Sequence, residues 1–369
     1  MKRIKLLHAA DLHLDSPFEG LTGSKAAQRR REQRELLRSL MELAKTEEVQ
    51  LVLLSGDLLD SASPHLETSE ELLRALGSVS VPVFIAPGNH DPYTPGSPYA
   101  KLSFPENVHI FKSNRIECVE LPELNARVFG AAFTERHSAS MLADFEPPAD
   151  DGMLNLMCIH GELSQDSDYD PISEAQLMRS GMDYVALGHI HKGSGLRKAG
   201  KTAYAWPGCT EGRGFDETGE KNVYIVGING DECRIKPVCI AKRRYEILNV
   251  AASDDALSAI NAVLPKETEN DVYRIVLSGE SAESPDLRAL YDALSGRFFA
   301  LQLKDRTRPK VGVWDSAGED SLRGQFLLRL KSAYDAAADD GERERIMQAA
   351  RWGLAALCNR EEVVCHDNK

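Results

Sequence analysis

The chain lacks the features that would tie it to a membrane or an oxidising compartment. No apolar run approaches the roughly 18 residues that a membrane-spanning helix needs. The N-terminus, MKRIKLLHAADLH, begins basic and apolar as a secretion signal does, but it meets Asp11 almost at once and reads as a first strand. The seven cysteines (Cys118, Cys158, Cys209, Cys233, Cys239, Cys358, Cys365) are odd in number, scattered and never spaced CxxC. That argues against a zinc knuckle and a disulfide framework, and for reduced thiols in a cytoplasmic protein. Positive charge is also scarce. With 44 Lys and Arg against 57 Asp and Glu the formal net charge is −13, which opposes binding of a polyanion at long range. Only local basic patches could override it within a Debye length. The candidates are Arg29-Arg30-Arg31 with Arg34 and Arg38, then Lys242-Arg243-Arg244, then Arg306, Arg308 and Lys310. Each reads first as a solvated face. There is no internal repeat and no low-complexity tract.

What the chain does have is five apolar runs that each end in polar, ligating side chains. They are Ile4 to His13, Gln50 to Asp57, Val81 to Asp91, Leu154 to His160 and Asp183 to His191. Each run reads as a buried strand. Each polar cluster then sits just past a strand's end, where open α/β sheets place their ligands. The set is Asp11, His13, Asp57, Asn89, His160, His189 and His191: two carboxylates, one amide and four imidazoles. Such mixed oxygen and nitrogen donors suit Mn²⁺, Fe²⁺ or Zn²⁺ better than Ca²⁺ or Mg²⁺. They are too many for one tetrahedral site and suit two ions sharing a carboxylate, about 3.5–4 Å apart. A pair of this kind can generate hydroxide from water, polarise a phosphoryl oxygen and neutralise developing charge. Asp11 with His13 and His189 with His191 are i, i+2 pairs, which share one side of an extended chain. Gly56, Gly88, Gly161 and Gly188 flank the ligands and allow sharp turns. His90 adjoins Asn89 and would face the other way, so it is a candidate acid for a leaving alkoxide, with Asp91 placed to orient it. His8, His65, His109, His137 and His366 lack such partners and read as ordinary residues.

The 369 residues allow two or three domains. Residues 1–244 alternate strand and helix patterns and then turn β-rich, which predicts two mixed sheets packed together with helices outside. A helix is expected over Gln28–Lys45, with Leu36, Leu37, Leu40, Met41 and Ala44 on its apolar side. Another is expected over Ser69–Leu76. Residues 245–304 read strand, helix, strand, helix, strand, a small α+β unit. Residues 305–318 read as a linker. Residues 319–369 read as two helices parted by Asp339-Asp340-Gly341. The first carries Leu322, Phe326, Leu330 and Tyr334; the second carries Ile346, Ala350, Leu354 and Leu357. These stripes either pack on the chain's own core or form a helix-docking surface.

The order Asp-x-His, Gly-Asp, Gly-Asn-His-Asp, His-Gly and Gly-His-x-His resembles the calcineurin-like metallophosphoesterase superfamily over residues 11 to 191. Within it the chain resembles the DNA repair exonuclease branch, the SbcD-type nuclease subunits, and looks closest to the shorter YhaO-like group. The stretches that carry this are HAADLHLDSPFEGL, Trp206-Pro207-Gly208 running into Glu211-Gly212-Arg213-Gly214-Phe215-Asp216-Glu217, and Leu322-Arg323-Gly324-Gln325-Phe326. The resemblance implies an αββα sandwich, a cap domain at 245–304 and a C-terminal segment at 319–369 that grips an SMC-like ATPase. It implies that Asp11, His13, Asp57 and His191 hold one ion, and that Asp57, Asn89, His160 and His189 hold the other. It also implies a catalytic His90, a preference for Mn²⁺, removal of nucleotides from DNA 3′ ends, single-strand endonuclease activity and homodimerisation. The sequence departs from the branch at Asp60, where some relatives carry a DNA-contacting His, and at Cys209, where relatives usually show Ser. Two other functions fit the residues: a phosphodiesterase or phosphatase for nucleotides or other small phosphoesters, and a partner-binding adaptor without chemistry.

Overall fold

The computed structural model describes residues 3–61, 63–164, 166–253, 255–281, 284–309 and 313–357. Lys310, Cys358, Cys365 and His366 lie outside them. The chain divides into two compact units, Met1–Arg244 and Tyr245–Lys369. Among the described residues no helix is long and apolar enough to cross a membrane.

The first unit runs β1 (Arg3–Ala9), α1 (Gly23–Thr46), β2 (Leu51–Leu54), α2 (Leu66–Leu76), β3 (Val83–Ile85), the short α3 (Pro98–Lys101) and β4 (Val108–Ile110). It continues through β5 (Glu117–Leu121), β6 (Ala126–Gly130), β7 (Leu154–His160), the two-residue β8 (Glu162–Leu163) and β9 (Pro171–Ile172), and α4 (Glu174–Arg179). Then come β10 (Tyr184–Gly188), β11 (Arg197–Ala199), β12 (Thr202–Ala205), β13 (Val223–Asn229) and β14 (Glu232–Val238). Two six-stranded sheets result, in the orders β14-β13-β1-β2-β3-β4 and β11-β12-β10-β7-β6-β5. β1 through β4 pair in parallel, as do β6, β7, β10 and β12, so their carboxyl ends gather at one edge of each sheet.

The apolar runs show why the sheets stack. In β1, Leu6 faces a cluster with Leu51, Leu53 and Phe84 of its own sheet and Val128, Leu156, Tyr184 and Ala186 of the other. The neighbouring Leu7 faces outward, with Val52 and Leu54, against Leu37, Leu40 and Met41 of α1 and Leu72 and Leu76 of α2. The outer side of the second sheet buries Met157, Val185 and Leu187 with Leu177 of α4. Strands buried on both faces must be apolar throughout, and these are. The fold is an α/β αββα sandwich, with mixed sheets and flanking helices. α1 starts at Gly23, before the expected Gln28, and α2 starts at Leu66, before Ser69.

Two of the basic patches each turn one arginine into the interior. Arg29 is fully buried. Its guanidinium donates to Glu32, Glu211 and the Gly212 carbonyl and lies over the Phe18 ring. Arg243 is buried too and donates to both oxygens of Glu32. Arg38 is spent on Glu71, and Arg34 faces Asp15 and Glu67. A run of arginines on a helix cannot all face water when the helix packs on a sheet, and here the inward one meets buried carboxylates.

The second unit has three parallel strands, β15 (Tyr245–Ala251), β16 (Val272–Ser281) and β17 (Ala300–Pro309). Helices α5 (Ala256–Val263) and α6 (Leu287–Leu294) bury Ile260, Leu290 and Leu294 against Tyr273, Ile275 and Leu277. β17 pairs with β16 as far as Pro309, so residues 305–309 are strand rather than the expected linker. Helices α7 (Leu322–Ala336) and α8 (Asp340–Leu357) pack around Leu327, Ala350 and Leu354, with Phe326 and Leu330 partly buried. In α7 the fully buried large side chain is Leu327, next to the expected stripe, while Leu322 is 76% exposed; in α8 it is Ala350 of the expected stripe that is fully buried. Gly353 is where α8 admits the Phe326 ring, since a Cβ there would collide with it.

The buried arginine is expected to matter for stability. Arg29→Ala leaves Glu32 and Glu211 in the interior with one cation fewer, and should cost about 3–5 kcal/mol. Urea unfolding measures this; a loss below about 1 kcal/mol, typical of a surface pair, would contradict the assignment.

Candidate metal centre

The candidate ligands come together at the carboxyl ends of the two sheets. Asp11 and His13 follow β1, Asp57 follows β2, Asn89 follows β3, His160 ends β7, and His189 and His191 follow β10. The loops are stitched by backbone bonds, from the Asp11 amide to the Gly56 carbonyl at 3.0 Å and from the His13 amide to the Asp57 carbonyl at 2.9 Å. Asp11, His13, Asp57 and His189 have φ of 53°, 44°, 51° and 94°. The i, i+2 pairs therefore do not lie on extended chain as expected. Left-handed backbone at these non-glycine residues costs on the order of 1–3 kcal/mol each and aims the side chains inward. Glycine makes the close approaches possible: a Cβ on Gly88 would collide with the Asp57 carboxylate, one on Gly56 with the His160 ring, and one on Gly188 with the Ser55 carbonyl.

The side chains form two groups around Asp57. In the first, Nε2 of His13 and Nε2 of His191 are 3.1 Å apart. Nε2 of His191 is 3.9 Å from Oδ1 of Asp11, and Nε2 of His13 is 3.7 Å from Oδ2 of Asp57. In the second, Oδ1 of Asn89 is 3.0 Å from Nε2 of His160 and 3.2 Å from Nδ1 of His189. Nε2 of His160 is 3.4 Å from that same Oδ2 of Asp57. Asp11, His13 and His191 can each offer an atom within a 4.8 Å span, and so can Asp11, Asp57 and His160. All seven expected ligands are thus brought together. His8 is elsewhere, buried and bonded to the Tyr184 hydroxyl and Ser55 Oγ.

His90 lies at the rim, its side chain 38% exposed and its ring 4.8 Å from that of His13. Asp91 does not orient it. Oδ2 of Asp91 accepts from the amides of Leu58 and Leu59 and from the Tyr99 hydroxyl, and Oδ1 accepts from the Gly88 amide. Asp91 is a buried staple for the loops after β2 and β3. The carboxylate nearest the His90 ring is Asp60, 3.5 Å from Nδ1. Asp60, Arg213 and Glu217 touch the ligand imidazoles and were not marked as site residues by the sequence. The only hint was that Asp60 departs from the resembled branch while Arg213 and Glu217 lie in a stretch that matches it.

Electrostatics fits a cation site. Burial would strip the proton from His160, but the Asp57 and Asp11 carboxylates and the Ser55 carbonyl together outweigh burial and lift it to about 10. Asp57 is buried as well, yet His160 and then His13 hold its carboxyl well below the usual carboxylate range. Burial pushes Asp11 up to about 6, against the pull of His160. Burial lowers His13 and His189 to about 4, leaving neutral imidazoles ready to ligate. An ion pair between His160 and Asp57 occupies the charge balance that a divalent cation would take over.

A donor set of this composition on a two-sheet sandwich defines a metallophosphoesterase, a hydrolase class. The chain belongs to the calcineurin-like phosphoesterase family, Metallophos, which residues 4–193 match. The family's centre is dinuclear, and the residues here fit it. The chain is 30% identical over 349 residues to the uncharacterized metallophosphoesterase YhaO of Bacillus subtilis, covering 88% of this chain and 83% of that protein. It is 29% identical to the DNA double-strand break repair protein Mre11 of Aeropyrum pernix, over 70% of this chain and 66% of that one. It is 24% identical to a subunit of the nuclease SbcCD of Bacillus subtilis, over 64% and 70%.

The charge states set a pH dependence. At neutral pH His160 carries a proton that a cation must expel, while His13 and His189 are already neutral. Mn²⁺ affinity should therefore rise with pH, by up to about tenfold per unit between about pH 6 and 8. Calorimetry in buffers of different ionisation enthalpy should also detect the released proton. Affinity that is flat over that range, with no proton release, would contradict the charge assignment.

Proposed function

We propose that the chain is a manganese-dependent phosphodiesterase acting on DNA, an exonuclease working from 3′ ends. The observation that carries this reading is the complete ligand set, with Asp57 placed between two groups of donors. In this reading Asp11, His13, Asp57 and His191 hold one ion, and Asp57, Asn89, His160 and His189 hold the other. Bound divalent ions would supply Lewis acidity toward the phosphoryl oxygens and neutralise charge as it develops. His90 stands at the exposed rim, beside the first group, where its imidazole can give a proton to the departing 3′-oxygen. The names of the relatives, a double-strand break repair protein and a nuclease subunit, support DNA as substrate. The C-terminal helices serve this reading as a dock for an SMC-like ATPase. Leu322 (76% exposed), Leu328 (42%), Trp352 (39%) and Leu357 (42%) give them an apolar surface beyond their own small core.

A second reading, a phosphodiesterase of small molecules, draws support from the charge. The net charge is −13, and Arg29 and Arg243 are buried on carboxylates rather than offered to a duplex. His90→Ala should keep both metals and lose about 10²–10⁴-fold in turnover. Run with Mn²⁺ on 3′-labelled duplex, single strands and bis-p-nitrophenyl phosphate, the same assay ranks the two readings. Turnover of the small ester with no DNA degradation would favour the second, and full activity in His90→Ala would remove His90 from the chemistry.

A further inference from the structure

The two groups of donors around Asp57 are supported differently. In the first group both imidazoles point Nε2 inward, and each has its Nδ1 against a carboxylate. Nδ1 of His13 is 3.1 Å from Oδ1 of Asp60, and Nδ1 of His191 is 2.7 Å from Oε1 of Glu217. Arg213 spans the two carboxylates. Its Nη1 donates to Asp60 at 3.4 Å, its Nη2 donates to Glu217 at 2.7 Å and lies 3.2 Å from Nδ1 of His191, and its backbone amide donates to Glu217 at 2.8 Å. The segment bearing Arg213 and Glu217 is itself tied to the buried Arg29 through Glu211 and the Gly212 carbonyl. In the second group Nδ1 of His160 meets an uncharged acceptor, the Ser55 carbonyl, at 2.9 Å. The carboxylate on that side, Glu162, is 3.8 Å from Nε2 of His189, beyond hydrogen-bond reach.

An imidazole whose outer nitrogen donates to a carboxylate is fixed in tautomer and orientation and is a stronger ligand. From this asymmetry we infer that Asp60 and Glu217, bridged by Arg213, are positioning residues that set the ion affinity of the Asp11–His13–His191 position and leave the Asn89–His160–His189 position unaffected. This rests on the dinuclear reading given above.

Titration of the full chain with Mn²⁺, by calorimetry and electron paramagnetic resonance, tests this on wild type, Asp60→Asn and Glu217→Gln. Wild type should take up two ions and give the signal of a spin-coupled pair. Each variant should lose about 10- to 100-fold in affinity at one position only. With one equivalent of metal each variant should then show an isolated Mn²⁺ signal. Retained binding at the other position reports an intact fold. Equal weakening of both positions, or no change at either, would overturn the inference while the dinuclear reading stands. Fewer than two ions in wild type would overturn both.

Discussion

The Asp57 carboxylate is the point on which the first unit converges. It is buried, held ionised, and has His13 and His160 approaching the same oxygen from two sides. Its other oxygen accepts from the His90 amide at 2.9 Å. A carboxylate in this setting is costly unless cations or donors surround it. Every neighbouring element contributes: β2 carries it, the loop after β3 supplies Gly88 and His90, and β1, β7 and β10 bring the imidazoles. The sandwich is what makes this possible, since parallel strands in two facing sheets deliver their carboxyl ends to one place.

The strain in the loops belongs to the same arrangement. Left-handed backbone at Asp11, His13, Asp57 and His189 turns side chains into a small volume that ordinary extended strand ends could not reach. The expense is borne by surrounding order: paired loop amides, the Asp91 staple with Tyr99 behind it, and a core apolar on both sheet faces. Farther out, the buried Arg29 ties α1 to the segment that supports His191, so the packing of a helix and the geometry of a ligand are physically linked.

The sandwich and the gathering of the candidate ligands were legible in the sequence because each candidate follows an apolar run, a local signal. What was not legible depends on distant partners. Asp91 looked like a partner for His90 because they adjoin, but its acceptors are filled by Leu58, Leu59, Gly88 and Tyr99. Asp60, Arg213 and Glu217 meet across about 150 residues of chain, and no spacing announces such a contact. Arg29 reads as one more charge in a basic run until the helix shows its inward face. The strand at 305–309 was hidden in a polar stretch, because its register comes from β16 and not from its own composition.

The small parallel unit and the helical pair each have a core of their own, and all seven candidate ligands belong to the first unit. The chemistry of the chain therefore stands or falls with Asp57 as the group shared between two cations. The most direct measurement is the metal content of wild type and Asp57→Asn after loading with Mn²⁺ and desalting. The account predicts two ions per chain in the wild type and less than one in the variant. Two ions retained by Asp57→Asn would contradict it.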